Sequence, residues 1–367
     1  MGSQRRGSRM KVLVTGHDGY IGSVMVPMLQ AAGHEVVGLD AGWFDGCDFG
    51  RPADPIPELR VDIRDTDGSE FEGFDAVIHL AALSNDPLGN LNPQTTDDIN
   101  HVASVRLAEQ ARRAGVSRYL YSSSCSLYGS AGDEDVDETA PFNPVTAYGE
   151  SKIRSELDLV ALADDDFSPT FFRNATAYGV SPRLRADLVV NNLVGYAFTT
   201  GDVLIMSDGS PWRPLVHIED ISRAFLAALE VPRERIHKKA FNVGRQGENY
   251  RVREVADFVA ETVPGSRVRY SEGASPDKRD YRVDFSLIAR ELPEFQPQWT
   301  LRRGIEELYA AYRDHGLTEE EFLSSRYLRI KTICDHQDAG RMDEKLSWTT
   351  REAPEHAQAR DTTKNRG

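Results

Sequence analysis

The side chains best suited to moving a proton in this chain are Tyr148 and Lys152, four residues apart in the segment "TAYGESK". We predict a helix from Thr146 to about Ala163, in which positions i and i+4 share one face, so the phenol and the ammonium become neighbours. A phenol with an ordinary pKa of about 10 is a poor base at neutral pH, and a nearby cation lowers that pKa. The spacing therefore suits general acid-base chemistry at the tyrosine oxygen.

A second polar cluster, "SSSCSLYG" at residues 122–129, begins where the predicted buried strand "RYLYS" ends. Open α/β sheets bind their ligands at the carboxyl ends of strands. We therefore expect this run to face a ligand, with Ser122 and Ser123 in mainly structural roles.

A glycine-rich loop, "TGHDGYIG" at residues 15–22, joins the first predicted strand, "KVLVTG", to the first predicted helix, which ends at Gly33. Glycines let the backbone approach a pyrophosphate, and a helix N-terminus offers free N–H groups. Asp40 closes the second predicted strand, "EVVGLD", where a carboxylate can bind a ribose diol and repel a 2′-phosphate. Asp18 is also acidic, and no arginine is adjacent in sequence to either acid. The pattern therefore favours NAD over NADP.

Two further segments complete the predicted cofactor site. "VDIRD" ends a third strand where adenine could be held, and "HLAA" brings backbone close to the nicotinamide side, with His79 interpreted as a packed structural histidine. The predicted cofactor contacts from these segments are Gly16, Gly19, Tyr20, Ile21, Gly22, Asp40, Asp62, Ile63, Leu80, Ala81 and Ala82.

Strands that alternate with helices predict an α/β fold, a Rossmann-like doubly wound parallel sheet with a smaller C-terminal substrate-binding lobe. Thr318 and Glu321 form a capping box that predicts a peripheral helix over "TEEEFLSSRYLRIKTI". The predicted divisions are a disordered leader (1–9), a cofactor domain (10–180, with return segments near 215–245), the lobe (181–345) and a disordered tail (346–367).

Composition argues against several classes of function. With 43 Lys and Arg against 58 Asp and Glu, the net charge of -15 disfavours nucleic acid as a partner. Cys47, Cys125 and Cys334 lie far apart, which predicts neither disulfides nor a metal site and favours a cytoplasmic location. The sequence has no run of 18 apolar residues, so no membrane span is predicted.

With these residues assembled, the chain resembles the extended short-chain dehydrogenase/reductase family, specifically the NAD-dependent nucleotide-sugar epimerases and dehydratases. The resemblance covers roughly residues 10–345 and depends on motifs in the right order, namely "TGHDGYIG", Asp40, "VDIRD", "HLAA", Asn100, "SSSCSLYG", "YGESK" and "WRPLVHIED". In combination these motifs are far more specific than any one of them alone.

The resemblance implies a role for each matching residue. Tyr148 would be the acid-base catalyst, with Lys152 as its partner and both in contact with NAD, while Ser124 would hydrogen-bond the reacting sugar hydroxyl. Arginine suits phosphate geometry, and asparagines here could equally serve turns or caps. The implied residues contacting a nucleotide-diphosphate sugar are Ser124, Ser126, Asn174, Asn192, Arg213 and Arg279.

The same resemblance narrows the reaction. The family's 4,6-dehydratases and sugar-acid decarboxylases keep carboxylates after the serine, where this chain has Cys125 and Ser126. The family's 3,5-epimerases and epimerase-reductases have a working cysteine one position later than Cys125. Strand alternation points the side chain of Cys125 to the opposite face, so we interpret Cys125 as a buried small hydrophobe. C4 epimerisation through a 4-keto sugar is the favoured reaction. A dehydratase, a C2-epimerase and a non-catalytic NAD sensor remain as alternatives, and the nucleotide and sugar cannot be assigned from the sequence.

A homodimer is also predicted. The helices that start near Asp97 and Tyr148 carry apolar residues on more than one face, and in the family such a pair forms a four-helix interface. The apolar residues concerned are Val102, Val105, Ala108, Ile153, Leu157 and Val160.

Overall fold

The structure, a computed structural model, describes residues 9–84, 89, 92–275 and 279–349. The predicted leader up to residue 8 and the predicted tail from residue 350 lie outside the described residues. The strands are β1 (Lys11–Thr15), β2 (Glu35–Asp40), β3 (Glu58–Arg60), β4 (Ala76–His79), β5 (Arg118–Ser124), β6 (Ser130–Val136), β7 (Ser168–Asn174), β8 (Thr176–Tyr178), β9 (Asp202–Ser207), β10 (Trp212–His217), β11 (Ala240–Val243), β12 (Asn249–Arg251), β13 (Arg267–Ser275) and β14 (Asp280–Val283).

Helices connect most of these strands, and a π-helix (Asp98–Ala103) leads into one of them. The α-helices are α1 (Gly22–Ala31), α2 (Pro93–Asp97), α3 (Ser104–Arg113), α4 (Ala147–Ala161), α5 (Val189–Thr200), α6 (Ile218–Glu230), α7 (Val252–Thr262), α8 (Ser286–Glu291), α9 (Leu301–His315), α10 (Glu319–Phe322) and α11 (Arg329–Asp338). Within the described residues, no helix is both long and apolar enough to cross a membrane.

Seven strands form the main sheet in the order β11-β7-β5-β4-β1-β2-β3, and every neighbouring pair is parallel. The strand order reverses between β1 and β4, which is the point where open α/β sheets leave a ligand crevice. The predicted Rossmann-like sheet is therefore confirmed.

Both faces of this sheet are buried, and alternate residues of β1 show why. Val12 and Val14 belong to one apolar cluster, which also holds Met25 of α1 and Phe225 of α6. Leu13 belongs to the cluster on the opposite face, which holds residues of α3 and α4. Side chains of a strand alternate between faces, so a sheet covered by helices on both sides needs a continuous apolar run such as "VLV".

A separate apolar cluster lies in the second lobe, where α5, α7 and α9 pack beside β9. The chain between these parts crosses back, because β11 joins the main sheet beside β7 and α6 packs against α1. At the other end Leu346 is buried, and Met342 forms a β-bridge with Trp348. Order therefore extends at least three residues beyond the predicted start of the tail.

The helix predicted after Thr318 is wrong as a single element, because the structure divides it into α10 and α11. Thr318 does cap the first piece, since its hydroxyl accepts a hydrogen bond from Glu321 N at 3.2 Å. The Ser324 hydroxyl then donates to the Glu321 carbonyl at 2.6 Å, and the Tyr327 carbonyl accepts from Ala186 N. These contacts compete with a continuing helix.

Candidate active site

One cavity opens along the carboxyl edge of the main sheet and reaches into the second lobe. Every residue predicted to act in catalysis, to bind the cofactor or to bind the substrate lines this cavity, although the roles assigned to them stay predictions. These residues are Gly16, Gly19, Tyr20, Ile21, Gly22, Asp40, Asp62, Ile63, Leu80, Ala81, Ala82, Ser124, Ser126, Tyr148, Lys152, Asn174, Asn192, Arg213 and Arg279.

Tyr148 and Lys152 lie one turn apart in α4, as their spacing predicts. The helix is fixed at its start by the Thr146 hydroxyl, which accepts from Gly149 N at 3.1 Å. The Lys152 ammonium lies 5.7 Å from the centroid of the Tyr148 ring and donates to the Ser122 carbonyl at 2.7 Å. Burial lowers the pKa of Lys152 to about 7. An ammonium so close to the phenol favours loss of the phenolic proton.

Ser124 ends β5 and turns the chain into the cavity. Its hydroxyl oxygen accepts from Ser126 N at 3.1 Å, which caps the short 3-10 helix Cys125–Tyr128. The Ser126 hydroxyl is buried and has no hydrogen-bond partner among the described residues. Both residues line the same cavity as Tyr148, so their hydroxyls can donate to a bound hydroxyl or carbonyl group.

Asn100 of the π-helix holds the two halves of this wall together. Its side-chain oxygen accepts from Leu83 N at 2.7 Å and its amide donates to the Leu83 carbonyl, just beyond β4. The same amide contacts the Ser151 hydroxyl at 3.2 Å, and that hydroxyl donates to the Tyr148 carbonyl at 2.8 Å. Asn100 therefore fixes helix α4 relative to the edge of the sheet.

Cys125 and His79 have the structural roles expected of them. Cys125 is fully buried, its thiol lies 3.1 Å from the Arg173 carbonyl, and burial raises its pKa well above the usual value. His79 lies between the Thr15 and Ser104 hydroxyls, at 2.6 and 2.8 Å. Burial lowers the pKa of His79 to about 3, so its ring is neutral at physiological pH.

The glycine-rich loop brings the exits of β1 and β4 into close contact. Gly16 has a φ of +71°, and a Cβ added there would lie 2.8 Å from Ala81 N. A Cβ at Gly22 would lie 2.4 Å from the carbonyl oxygens of Gly16 and His17. Only glycine permits this packing, which leaves the first turn of α1 facing the cavity, where its N–H groups can bind an anion.

Asp40 is held in place by main-chain groups. Its carboxylate accepts from Gly42 N at 2.8 Å and from Asp18 N at 3.3 Å, and burial raises its pKa. No arginine is adjacent to Asp18 in sequence, but the fold brings two arginines close to it. Arg183 forms an ion pair with Asp18 at 2.6 Å, and Arg60 lies 3.8 Å away. Arg183 comes from a segment remote in sequence, so a local pattern could not reveal it.

Asp62, at the same end of the cavity, is also engaged within the protein. Its carboxylate accepts from the Arg64 backbone and from the Arg64 guanidinium, with an ion pair at 2.7 Å. The neighbouring Ile63 is buried and offers an apolar surface. We call the part of the cavity beside Asp40 and Asp62 the adenosine end, after its predicted ligand.

The predicted substrate residues line the opposite end. Asn174, at the end of β7, donates to the Ser122 hydroxyl at 3.0 Å, while its side-chain oxygen has no hydrogen-bond partner among the described residues. Asn192 donates to the Ala186 carbonyl at 2.9 Å. Arg213 is buried and donates to the Arg279 carbonyl, which places the two arginines side by side.

Sequence reasoning missed other residues of the cavity wall. The segment "SPRLRADL" holds Arg185 and Asp187, which form an ion pair at 2.7 Å. Two more lining residues, Phe44 and Arg329, lie 3.9 Å apart, measured from ring centroid to guanidinium carbon. Single residues of these types in loops and in a peripheral helix carry no pattern, so only the fold brings them together.

The cavity is positively charged although the chain is acidic. Among the described residues that line it, five side chains are basic and three are acidic. The basic residues are Lys152, Arg185, Arg213, Arg279 and Arg329, and the acidic residues are Asp40, Asp62 and Asp187. This balance favours ligands that carry phosphate groups.

Comparison with known proteins finds enzymes that are similar in sequence and in fold. The model of the NAD dependent epimerase/dehydratase family matches residues 12–244. A UDP-glucose 4-epimerase of Mycolicibacterium smegmatis is 31% identical over 316 residues, an alignment that covers 83% of this chain and 99% of that relative.

Two solved structures are similar over a comparable extent. MoeE5, in complex with UDP-glucuronic acid and NAD, is 29% identical with a TM-score of 0.72, covering 83% of this chain and 99% of that chain. DesIV, a dTDP-glucose 4,6-dehydratase from Streptomyces venezuelae with NAD and TYD bound, is 26% identical with a TM-score of 0.74, covering 85% of this chain and 100% of that chain.

Proposed function

Because this chain belongs to the NAD-dependent epimerase/dehydratase family, we propose that it epimerises a nucleotide-diphosphate sugar at C4 with NAD as its cofactor. The cavity residues fit NAD. Gly16 and Gly22 allow a close approach to a pyrophosphate, and the carboxylate of Asp40 lies at the end of β2, where it can bind a ribose diol and disfavour a 2′-phosphate.

One observation supports epimerisation over elimination of water. The carboxylic acids among the described lining residues are Asp40, Asp62 and Asp187, and each already accepts hydrogen bonds from protein amides or a guanidinium. Removal of water across two sugar carbons needs a second proton donor and acceptor beside the tyrosine. C4 epimerisation needs a single base.

The proposed mechanism assigns one proton transfer to Tyr148. NAD, which the glycine-rich loop and Asp40 would hold, would supply the hydride acceptor and then the hydride donor for the sugar carbon. Tyr148 takes the proton of the C4 hydroxyl in the first step and gives it back in the second, while the Lys152 ammonium stabilises its phenolate. The Ser124 hydroxyl orients the sugar oxygen and fixes the distance over which the proton moves.

Epimerisation also requires that the keto sugar rotate between the two hydride transfers, so that the returning hydride reaches the opposite face of the ring. We propose that Arg213 and Arg279, with Asn174 and Asn192, bind the nucleotide diphosphate and remain bound to it while the sugar rotates. Arg213 is buried beside Arg279, which places two guanidinium groups together for a diphosphate. We also propose that the cofactor is bound by residues 10–180, with the return segments near 215–245, and that the substrate is recognised by residues 181–345.

A dehydratase is the second candidate, favoured by the likeness to the dTDP-glucose 4,6-dehydratase structure. The two activities are separated by incubating the protein with UDP-, dTDP-, GDP-, CDP- and ADP-sugars in deuterated buffer and recording proton NMR spectra. A 4-epimerase yields a new isomer with an altered H4 coupling and no carbon-bound deuterium. A dehydratase yields a keto sugar that carries solvent deuterium beside the carbonyl. A C2-epimerase changes the H2 signals, and an NAD sensor yields no product.

We also propose that the protein is a homodimer formed through the π-helix and helix α4. Val102 and Leu157 are 53% and 57% exposed, on neighbouring elements that pack together. Exposed aliphatic side chains that form one surface mark an interaction site. The other predicted interface residues are less accessible, since Val105, Ile153 and Val160 are partly buried and Ala108 is fully buried. Of the six predicted apolar residues, only Val102 and Leu157 are therefore exposed.

A further inference from the structure

The last described segment, residues 329–349, folds back across the adenosine end of the cavity, and we call it the strap. The Trp348 indole donates to the Ala41 carbonyl at 2.8 Å. His336 Nε2 lies 2.9 Å from the Trp43 carbonyl. Both carbonyls belong to the loop that follows Asp40, so the strap covers the loop beside the predicted ribose site.

The first residue of the strap, Arg329, lines the cavity itself. It is 4% exposed, its guanidinium lies over the Phe44 ring, and Nη2 donates to the Arg183 carbonyl at 3.2 Å. Nη1 is buried and has no hydrogen-bond partner among the described residues. A guanidinium carries five N–H donors in a planar fork, so this side chain retains donors for a ligand.

Among the described residues, no carboxylate pairs with Arg329 alone. Arg185 lines the same cavity and donates to both carboxylate oxygens of Asp187. Burial and the charge of Arg185 lower the pKa of Arg329 to about 10. Within the part of the chain that the structure describes, Asp187 is therefore the carboxylate near both buried guanidinium groups. A buried cation without a partner is strongly unfavourable, and an anion in the cavity would balance it.

The position of the pair relative to the glycine-rich loop identifies the anion. The Ser181 hydroxyl donates to the Tyr20 carbonyl at 2.9 Å, and Arg183 pairs with Asp18. The segment that carries Arg185 therefore runs along the loop at the start of α1. A diphosphate above that loop would meet helix amides on one side and the two arginines on the other.

We propose that Arg329, together with Arg185, binds the pyrophosphate of NAD, so that the strap holds the cofactor in its cleft. A nucleotide sugar also carries a diphosphate. The NAD pyrophosphate is favoured because the contacts of Arg329 lie beside Phe44 and the glycine-rich loop, whereas Arg213 and Arg279 line the opposite end. The inference depends on NAD as the cofactor and is independent of which sugar reaction follows.

The test is the rate at which bound NAD exchanges with isotope-labelled NAD in the purified, NAD-loaded protein. Arg329→Met keeps an unbranched side chain over Phe44 and removes the charge, and we expect exchange about 10- to 100-fold faster, the effect of losing hydrogen bonds to a charged group. The matched control is Lys331→Met, which removes an exposed cation from the same helix and should exchange like the wild type.

Unchanged exchange in Arg329→Met would overturn the proposal. A second arm measures the affinity of the NAD-loaded protein for UDP and dTDP by calorimetry. Weaker nucleotide binding with unchanged NAD exchange would assign Arg329 to the substrate diphosphate and also contradict the proposal. Should the methionine variant fail to fold, Arg329→Gln, which can still donate to the Arg183 carbonyl, is put through the same two measurements and judged by the same outcomes.

Discussion

Tyr148→Phe is the substitution that most sharply tests the assignment of the base. The phenylalanine ring retains the packing of the tyrosine and its position above Lys152, whose ammonium lies 5.7 Å from the ring centroid. Only the oxygen that carries the proton is removed. We therefore expect turnover to fall while NAD remains bound.

The size of the loss follows from what surrounds that oxygen. Cys125 is buried away from the cavity with a raised pKa, and the acids of the described cavity wall already accept hydrogen bonds. Neither this thiol nor these carboxylates are therefore placed to replace the phenol as a base. Positioned acid-base catalysis contributes about 10²- to 10⁴-fold, so the rate of isomer formation should fall by at least the lower of these factors.

The assay is isomer formation measured by NMR, alongside the NAD content of each purified variant. Tyr121→Phe is the matched control, because the Tyr121 ring lies 4.5 Å from the same ammonium and is fully buried in the core. It should retain activity within about tenfold of the wild type, a loss too small for removal of a base. Residual activity above about a tenth in Tyr148→Phe would refute the assignment of the base.

Three further predictions concern the cofactor, the stability and the assembly. Lys152→Met should lower both turnover and NAD content. The pKa of Lys152 is about 7 in the folded protein against an ordinary 10.5, so the stability of the wild-type apoprotein should increase as the pH is raised from 7 to 10.5. In NAD-free protein, the melting temperature of the variant should increase less over this pH range than that of the wild type. Asp40→Ala should narrow the preference for NAD over NADP in calorimetry, and an unchanged ratio would contradict the role of Asp40. Leu157→Glu should give a monomer by light scattering at micromolar concentration where the wild type is a dimer, and a monomeric wild type would rule out the interface.

The parts of the site that the sequence revealed are those set by local spacing. The glycine-rich loop, Asp40 and the pair Tyr148 and Lys152 each depend on residues within one strand-to-helix unit, where the period of the element decides which side chains meet. The parallel sheet follows from the same units, because strands that alternate with helices are joined by crossover connections.

The parts that the sequence concealed depend on contacts between distant segments. Arg183 pairs with Asp18, and Arg329 contacts Phe44, although each pair is far apart in sequence. A lone arginine is usually a solvated surface group, and nothing in its neighbours distinguishes one that folding carries into a cavity. The division of the helix after Thr318 has the same origin, since Tyr327 bonds to Ala186 of the second lobe.

The most direct test of the proposed epimerisation is the fate of a deuterium label at C4 of the nucleotide sugar that turns over. The proposal predicts that each newly formed epimer keeps the label at C4 in ordinary water, because the hydride that leaves the sugar is the one that returns to it. Formation of the epimer with loss of the label to solvent, or release of water instead of an epimer, would contradict C4 epimerisation by NAD-mediated hydride transfer.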